Sequence, residues 1–349
     1  MSAAAALARA DQVLQSRGVH RALGAYVVGC AFTPEGAVFA LGDGTLRFAA
    51  LADRQFWREA PAHQGAVLAL APAPAGGVLT GGDDGRLLHT AWDGTSREIA
   101  RFGSKWVEHV ATHPGGGKPL AACAVGREVH LFGAAGEPRK TLAHPSTVAG
   151  LAFDAKGKRV AACHYNGASL WFVAARTDSP RLLEWKGSHI GITLSPDGDN
   201  VVTAMQENAL HGWRLSDGQH MRMSGYPSKS ASIGFTRSGK WLASSGAEAI
   251  VLWPFTGGGP MGKTPLELAG GDGVLCTRIA CHPEQEVVAA GFSDGLVLLA
   301  EIAGQRILPV AAPGRGPVSA LAWSANGATL AFGTEEGFAA IVDFSQRAA

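Results

Sequence analysis

The stretch Cys30-Ala-Phe-Thr-Pro-Glu-Gly36 recurs in altered form along the whole chain, and it decides the fold. Its fifth position is found in eight copies, at intervals of 40, 40, 41, 41, 41, 46 and 42 residues. The eight positions are Pro34, Pro74, Pro114, Ala155, Pro196, Arg237, Pro283 and Ala325. Two residues further on, glycine fills seven of the eight copies. A period of about 20 to 50 residues indicates a repeat architecture, so the chain is one array of similar units.

Each copy has the pattern of short antiparallel strands. Before the repeated position, an apolar residue is followed by a very small one, as in Leu151 and Ala152. This pattern predicts a half-buried strand whose small side chains let neighbouring sheets approach a central axis. A second strand follows the glycine, and a turn such as Ser293-Asp-Gly295 leads into a third strand.

The repeat resembles that of the WD-repeat family of β-propellers. The resemblance rests on Leu194-Ser-Pro-Asp-Gly198, Ser293-Asp-Gly295 and Ile250-Val-Leu-Trp253, and it covers roughly residues 20–345. The family's hydrogen-bond set of His, Asp, Ser or Thr, and Trp is largely missing, since its His occurs only as His63 and His144. The resemblance implies an all-β chain that forms a single β-propeller of four-stranded antiparallel blades.

The eight copies predict eight blades, with seven as the alternative because seven is the family's commoner number. The last copy ends with its third strand, so its outer strand is expected from the N-terminus, around Gly18 to Leu23, which would close the ring. We therefore expect an N-terminal extension over 1–17, a propeller over 18–345 and a tail over 346–349. The extension is expected to be a short helix or disordered.

Composition excludes several classes of protein. Thirty Lys and Arg balance 29 Asp and Glu, so no global field draws the chain to nucleic acid or to a membrane. The five cysteines form no CxxC pair, no apolar run approaches the roughly 18 residues of a membrane span, and the N-terminus does not have the pattern of a signal peptide. We expect a cytoplasmic monomer without a cofactor. The high content of Ala, Gly and Arg hints at a bacterial source.

Two motifs resemble chemical sites but fit the repeat better. Gly257-Gly-Gly-Pro-Met-Gly-Lys-Thr264 matches the phosphate-binding P-loop, but Pro265 and the short stretch that follows leave no room for its helix. We therefore expect a lengthened loop between blades six and seven. His109 and His113 would share a metal ion on a helix, but in a strand they lie about 13 Å apart. We expect no metal site and no catalytic residues.

The family resemblance places the loops that enter each inner strand on the same rim as the turns between second and third strands. Blades three to six bring basic and aromatic residues to this rim: Lys105, Trp106, Arg127, Tyr165, Trp185, Lys186, Met205, Tyr226 and Lys229. The other blades bring acidic residues, with Arg315 as an exception: Asp43, Asp83, Asp84, Asp294, Glu335 and Glu336. Trp, Tyr and Arg often anchor interfaces, although such aromatics can also fill gaps between blades.

The resulting hypothesis is a non-enzymatic scaffold that binds a protein or peptide with separated charges, and not nucleic acid, on this rim. The alternative is a propeller that binds a metal or small ligand through His and Cys in its channel or between blades, for example through His164.

Overall fold

A computed structural model describes residues 10–53, 55–113, 120–271 and 273–345. Three parts of the sequence predictions lie outside these ranges: residues 1–9 of the extension, the stretch that contains Pro114, and the tail over 346–349. The described chain begins with a short helix, α1 (Gln12–Arg17), and a strand, β1 (Gly18–Ala22). The helix accounts for part of the predicted extension. None of the described helices is long and apolar enough to cross a membrane.

The strands that follow form seven antiparallel sheets, of which six have four strands each. The first sheet contains β2 (Val27–Phe32), β3 (Gly36–Leu41), β4 (Thr45–Ala50) and β5 (Trp57–Pro61). The second contains β6 (Val67–Pro72), β7 (Val78–Gly82), β8 (Arg86–Thr90) and β9 (Ser96–Arg101). The third contains β10 (His109–His113), β11 (Leu120–Val125), β12 (Glu128–Gly133) and β13 (Pro138–Ala143). Each of these repeats folds locally, with its strands paired in chain order.

The fourth sheet has six strands, because repeats four and five share it. Its strands are β14 (Gly150–Phe153), β15 (Arg159–Phe172), β16 (Arg181–Leu194), β17 (Asn200–Met205), β18 (Ala209–Arg214) and β19 (His220–Met223). The first half of β15 pairs with β14, and its second half pairs with the first half of β16, whose second half pairs with β17. The prediction of eight separate blades is therefore wrong: the hydrogen bonding continues through the irregular positions at Tyr165/Gly167 and His189/Gly191, which gives seven sheets.

Three further four-stranded sheets complete the chain. The fifth sheet contains β20 (Ile233–Phe235), β21 (Trp241–Ser244), β22 (Ile250–Pro254) and β23 (Leu266–Leu268). The sixth contains β24 (Cys276–Cys281), β25 (Val287–Phe292), β26 (Val297–Glu301) and β27 (Arg306–Ala311). The seventh contains β28 (Val318–Trp323), β29 (Thr329–Thr334) and β30 (Phe338–Asp343), and β1 is its outer strand. In that pairing, Gly18 lies opposite Val342 and Ala22 lies opposite Phe338.

The sheets form a ring, because the first strand of each repeat contacts the first strand of the next, with the second half of β16 as the first strand of repeat five, and β28 of the last sheet contacts β2 of the first. The hydrophobic core is divided into clusters between neighbouring sheets, such as Phe48 of the first sheet with Val67 of the second. Close approach requires glycine at recurring positions. A Cβ at Gly291 would lie 2.3 Å from a methyl carbon of Val318 in the next sheet.

Antiparallel strands divide the loops between two ends of the ring. We call upper rim the end that carries the connections between sheets and the turns between second and third strands, as at Asp43 and Asp83. The lower rim carries the turns between first and second strands and between third and fourth strands. The irregular positions in β15 and β16, at Tyr165 and at Gly187–Ser188, lie at the upper rim because both strands change partners there.

Candidate partner-binding surface

Six of the nine predicted rim residues lie exposed on the upper rim. They are Lys105, Trp106, Arg127, Tyr165, Lys186 and Lys229. The side chains of Trp106 and Tyr165 are the largest of this set, with 57% and 60% of their surface exposed. Because two of the six are large aromatic residues and the other four are basic, we name these six residues the basic-aromatic surface.

Hydrogen bonds join the segments of this surface from Gly126 onward, whereas the loop of Lys105 and Trp106 bonds to the preceding repeat, through Val107 N to Gly82 O at 3.0 Å. The donors and acceptors are Val148 N to Gly126 O (2.8 Å), Tyr165 N to Ser146 Oγ (3.0 Å), Gly187 N to Asn166 Oδ1 (3.2 Å) and Gln206 N to Ser188 O (2.8 Å). Lys229 Nζ reaches Gln206 Oε1 at 3.4 Å, which links the last loop to this chain of contacts. Apart from Lys105 and Trp106, the exposed residues therefore belong to loops and strand ends that hydrogen bonds hold to one another.

The expected exposure of Tyr226 and Met205 is wrong. Tyr226 is 8% exposed, and its hydroxyl accepts a hydrogen bond from Trp253 Nε1 and shares another with Ser244 Oγ, each at 2.6 Å. Burial raises the pKa of Tyr226 to about 12. Met205 is 5% exposed at the end of β17. Tyr226 fills space between sheets, which is the alternative that the sequence left open for such aromatic residues.

Trp185 is also misplaced by the sequence prediction. It lies in the first half of β16 rather than in a loop, and its half-buried ring stacks on His211 with 3.9 Å between centroids. His211 is fully buried, and its Nε2 lies 3.0 Å from Nδ1 of His220. Burial, with a smaller effect of His220, lowers the pKa of His211 to about 3. Trp185 therefore packs against a buried histidine within the sheet instead of standing free on a rim loop.

The uncompensated charge on the acidic half of the upper rim is more uniformly negative than the sequence indicated. Within the described chain, no cation forms an ion pair with Asp43, Asp83, Asp294, Glu335 or Glu336. Arg315 was the exception, but it donates to Asp11 Oδ1 and Oδ2 at 2.9 and 2.7 Å, so its charge is balanced. Negative charge thus remains uncompensated on this side.

Asp84 has a structural role, because it takes part in a hydrogen-bond network of the kind that the WD-repeat resemblance implies. The sequence pattern predicts this network to be largely missing. His63 Nδ1 donates to Asp84 Oδ1 at 2.8 Å, and His63 Nε2 lies 2.9 Å from Thr80 Oγ1. Although burial opposes its ionisation, the hydrogen bond from His63 helps to hold the pKa of Asp84 below its ordinary value. The sequence could have indicated this contact, because Asp84 lies in the turn between the second and third strands of the repeat that His63 precedes. In the fourth sheet, Trp171 Nε1 donates to His144 Nε2 at 3.1 Å.

The residues considered for metal binding have structural partners. Across the part of the chain that the structure describes, no group of three or more His, Cys, Asp and Glu side chains could hold a metal ion. Both ring nitrogens of His164 are engaged, Nε2 with Ser169 Oγ and Nδ1 with Tyr165 O, each at 2.9 Å. His109 and His113 lie in β10, a strand, as the repeat predicted. Burial raises the pKa of the thiols to about 12 at Cys30, Cys123, Cys163, Cys276 and Cys281.

The P-loop-like segment lies at the lower rim. It connects β22 and β23 within the fifth sheet, so its expected position between two blades is wrong. A strand, beginning at Leu266, follows it where a P-loop would have a helix. Lys263 Nζ donates to the backbone carbonyl of Thr256, and Arg214 Nη1 donates to Gly258 O at 3.0 Å. The lysine is therefore held by the loop itself.

Comparisons with known proteins agree with this architecture. Residues 279–348 match the family model described as the anaphase-promoting complex subunit 4 WD40 domain. No curated protein matches the chain. Among solved structures, the crystal structure of the computationally designed Ika8 protein is similar in fold, with a TM-score of 0.74 and 18% identity over 93% of this chain and 98% of that one. The WD40 match over residues 279–348 and the ring of antiparallel sheets are consistent with a WD-repeat β-propeller.

Proposed function

We propose that this propeller is a non-enzymatic scaffold that binds a protein partner on the basic-aromatic surface. The observation that carries the proposal is the exposure of Trp106 and Tyr165 on the same rim, with Tyr165 held by a hydrogen bond from its amide to Ser146 of the neighbouring loop. Tryptophan and tyrosine bury a large area with few rotatable bonds, which is why they are enriched among the residues that dominate interface energies.

The fixed backbone of these loops favours binding. The amide of Tyr165 is held by Ser146, and the carbonyl of Gly126 accepts from Val148, so little backbone entropy remains to be lost on association. Association otherwise costs several kcal/mol in ordering of loops and side chains, and preorganisation reduces this cost. A rigid ring with a preformed surface suits a scaffold better than an enzyme that needs a moving lid.

The charges on this half of the rim are mixed. Lys105, Arg127 and Lys186 have no carboxylate partner within the described chain, but Glu108, Glu128 and Glu207 lie among them in the same loops or at adjacent strand ends. We infer that aromatic contacts supply most of the affinity and that the cations orient the partner. The acidic half of the rim would then favour a partner that also has a basic segment, which would lie against those acidic residues.

The proposal includes the setting in which the scaffold works. All five cysteines are free thiols, which fits a reducing cytoplasm better than an oxidising compartment. The near balance of charges supports a protein partner over nucleic acid, which requires a strong positive field. We propose that the scaffold acts as a monomer.

A capture experiment tests the surface. The wild type and a Trp106→Ala/Tyr165→Ala variant would be used to capture partners from native lysate, with mass spectrometry as the readout. Leu308→Ala, at a residue that is 45% exposed on the outer strand β27, is the matched control. We expect a stoichiometric partner that the control retains and the double variant loses. A partner that the double variant retains would contradict the proposed surface.

A further inference from the structure

A groove of about 190 Å³ opens on the lower rim where repeats four and five meet. Its walls are the turn between β14 and β15, which includes Lys156 and Lys158, and the turn between β16 and β17, which includes Pro196 and Asp197. Phe172, the last residue of β15, lies between them. Tyr165 lies in the middle of β15, at the upper rim, whereas Arg159 and Phe172 at the two ends of β15 line this groove, so the groove and the basic-aromatic surface are on opposite rims of the same sheet. We call it the lower groove.

The exposed ring of Phe172 continues a buried row. Ala168, Leu170 and Phe172 are alternate residues of β15, so their side chains point to the same side of the sheet. The first two are 1% and 4% exposed within the cluster between repeats four and five, whereas Phe172 is 62% exposed. The apolar row thus runs out of the core onto the surface, where a partner's apolar side chain could extend it.

The walls of the lower groove are fixed to each other. Arg159 Nε donates to Asp154 Oδ2 at 2.8 Å, and Arg159 Nη2 donates to Gly198 O in the opposite wall at 2.7 Å. The amides of Lys158 and Arg159 donate to Asp154 Oδ1. Although burial opposes its ionisation, these bonds hold the pKa of Asp154 below its ordinary value. The groove is therefore preformed, and binding does not have to order its walls.

Several basic side chains around the lower groove have no acidic partner in the part of the chain that the structure describes, whereas the acidic side chains near it do form hydrogen bonds or ion pairs. Four exposed cations on or beside it have no hydrogen-bond or ion-pair partner for their side chains among the described residues: Lys156, Lys158, Arg176 and Arg181. Arg181 lies opposite Leu170 in the register, on the side of the sheet to which Phe172 points. The nearby carboxylates are engaged, Asp154 by Arg159, Asp178 by Lys140, Asp197 by Ser195, Asp199 by Ser216 and Asp217 by Arg214.

We propose that the lower groove is a second docking site, which binds an acidic polypeptide segment carrying an aromatic or large aliphatic side chain. That apolar side chain packs on Phe172 and Pro196, and the carboxylates of the segment pair with Lys156 and Lys158. Charge complementarity favours an acidic segment because the lining carries Lys156, Lys158 and Arg159 against Asp154 and Asp197, and the two lysines have no carboxylate partner among the described residues. The site does not depend on the function proposed for the upper rim, and both together would let the ring bridge two partners.

Selection from a random dodecapeptide library on the purified protein, followed by fluorescence polarisation with the enriched peptides, tests the proposal. We expect the enriched peptides to combine Asp or Glu with an aromatic or large aliphatic residue. Phe172→Ala and, separately, Lys156→Glu/Lys158→Glu should each weaken their binding at least roughly tenfold, since the interface side chains that matter cost more than about 1.4 kcal/mol when removed.

The controls separate this groove from other surfaces. Arg237→Glu/Lys240→Glu reverses two exposed cations in the equivalent turn between β20 and β21, and it should leave binding unchanged. Trp106→Ala, on the upper rim, should also leave it unchanged. The proposal is overturned if no peptide is enriched, if the enriched peptides are neutral or basic, or if Phe172→Ala binds them like the wild type. Binding of a fluorescein-labelled oligothymidylate that Lys156→Glu/Lys158→Glu abolishes would overturn it in favour of nucleic acid.

Discussion

The contact between the N-terminal segment and the last two sheets gives the sharpest stability prediction. Asp11 is 11% exposed in its side chain, and it accepts hydrogen bonds from Arg315 at 2.9 and 2.7 Å and from the buried amide of Ala312 at 2.9 Å. It directly precedes α1, whose Leu14 is fully buried against β27 and β30, and β1 follows at Gly18. Loss of the Asp11 carboxylate should therefore loosen the outer strand of the seventh sheet.

The magnitude follows from burial. Exposed ion pairs contribute about 0.2 to 1 kcal/mol, whereas removal of one partner from a buried pair costs about 3 to 5 kcal/mol. Asp11 lies between these cases, and its loss also leaves the Ala312 amide without an acceptor, so we expect about 2 kcal/mol for Asp11→Ala. Native-state hydrogen exchange should show the amides of β1 that bond to β30 exchanging about 30-fold faster.

A matched exposed pair provides the control. Glu301 accepts from Arg306, whose side chain is 82% exposed, and solvent screens such exposed pairs, so Glu301→Ala should leave the exchange of nearby amides almost unchanged. Burial opposes ionisation of Asp11, but its hydrogen bonds with Arg315 and Ala312 hold its pKa below the ordinary value. The contribution is therefore complete above about pH 4 and is lost as the pH falls through the lowered pKa. Unchanged exchange of β1 in Asp11→Ala at neutral pH would refute this reasoning.

Three further substitutions test the account of the fold. Tyr226→Phe should lower the thermal midpoint, because it leaves the indole of Trp253 without its acceptor at a cost of about 1 to 3 kcal/mol; an unchanged midpoint would contradict the buried role of Tyr226. Gly333→Ala should be destabilising, since its Cβ would lie 2.4 Å from a methyl carbon of Val27, and a urea titration checks this. Neither the wild type nor Lys263→Ala should bind ATP in isothermal titration calorimetry. If the wild type binds ATP and Lys263→Ala does not, the P-loop-like segment is functional.

The fold could be predicted from the sequence wherever a signal repeats. The spacing from Pro34 to Ala325 predicts repeated antiparallel sheets, and the outer strand from the N-terminus could be expected because the last copy lacks one. The alternation of residues along β10 predicts that His109 and His113 lie in a strand and cannot share an ion. These are local properties, since most strands pair with the strand next to them in the sequence.

The candidate surface could be predicted only in part, because exposure depends on neighbours that are distant in sequence. Tyr165 and Tyr226 are both aromatic residues near the same rim, yet one is 60% exposed and the other is buried by Ser244 and Trp253. Nothing within either segment distinguishes them. The lower groove was missed for the same reason, since Phe172 follows an ordinary strand pattern until the sheet beside it ends.

The sequence by itself determined the period, the strand pattern and therefore the propeller architecture, because these depend on residues close together in the chain. Only the tertiary structure decided that repeats four and five share one sheet, that Asp11 balances Arg315, and which aromatic rings face solvent. The physical reason is that the hydrogen bonding between repeats, the ion pairs and the burial of side chains depend on contacts between residues of different repeats. The sequence of one repeat contains the residues of only one side of such a contact.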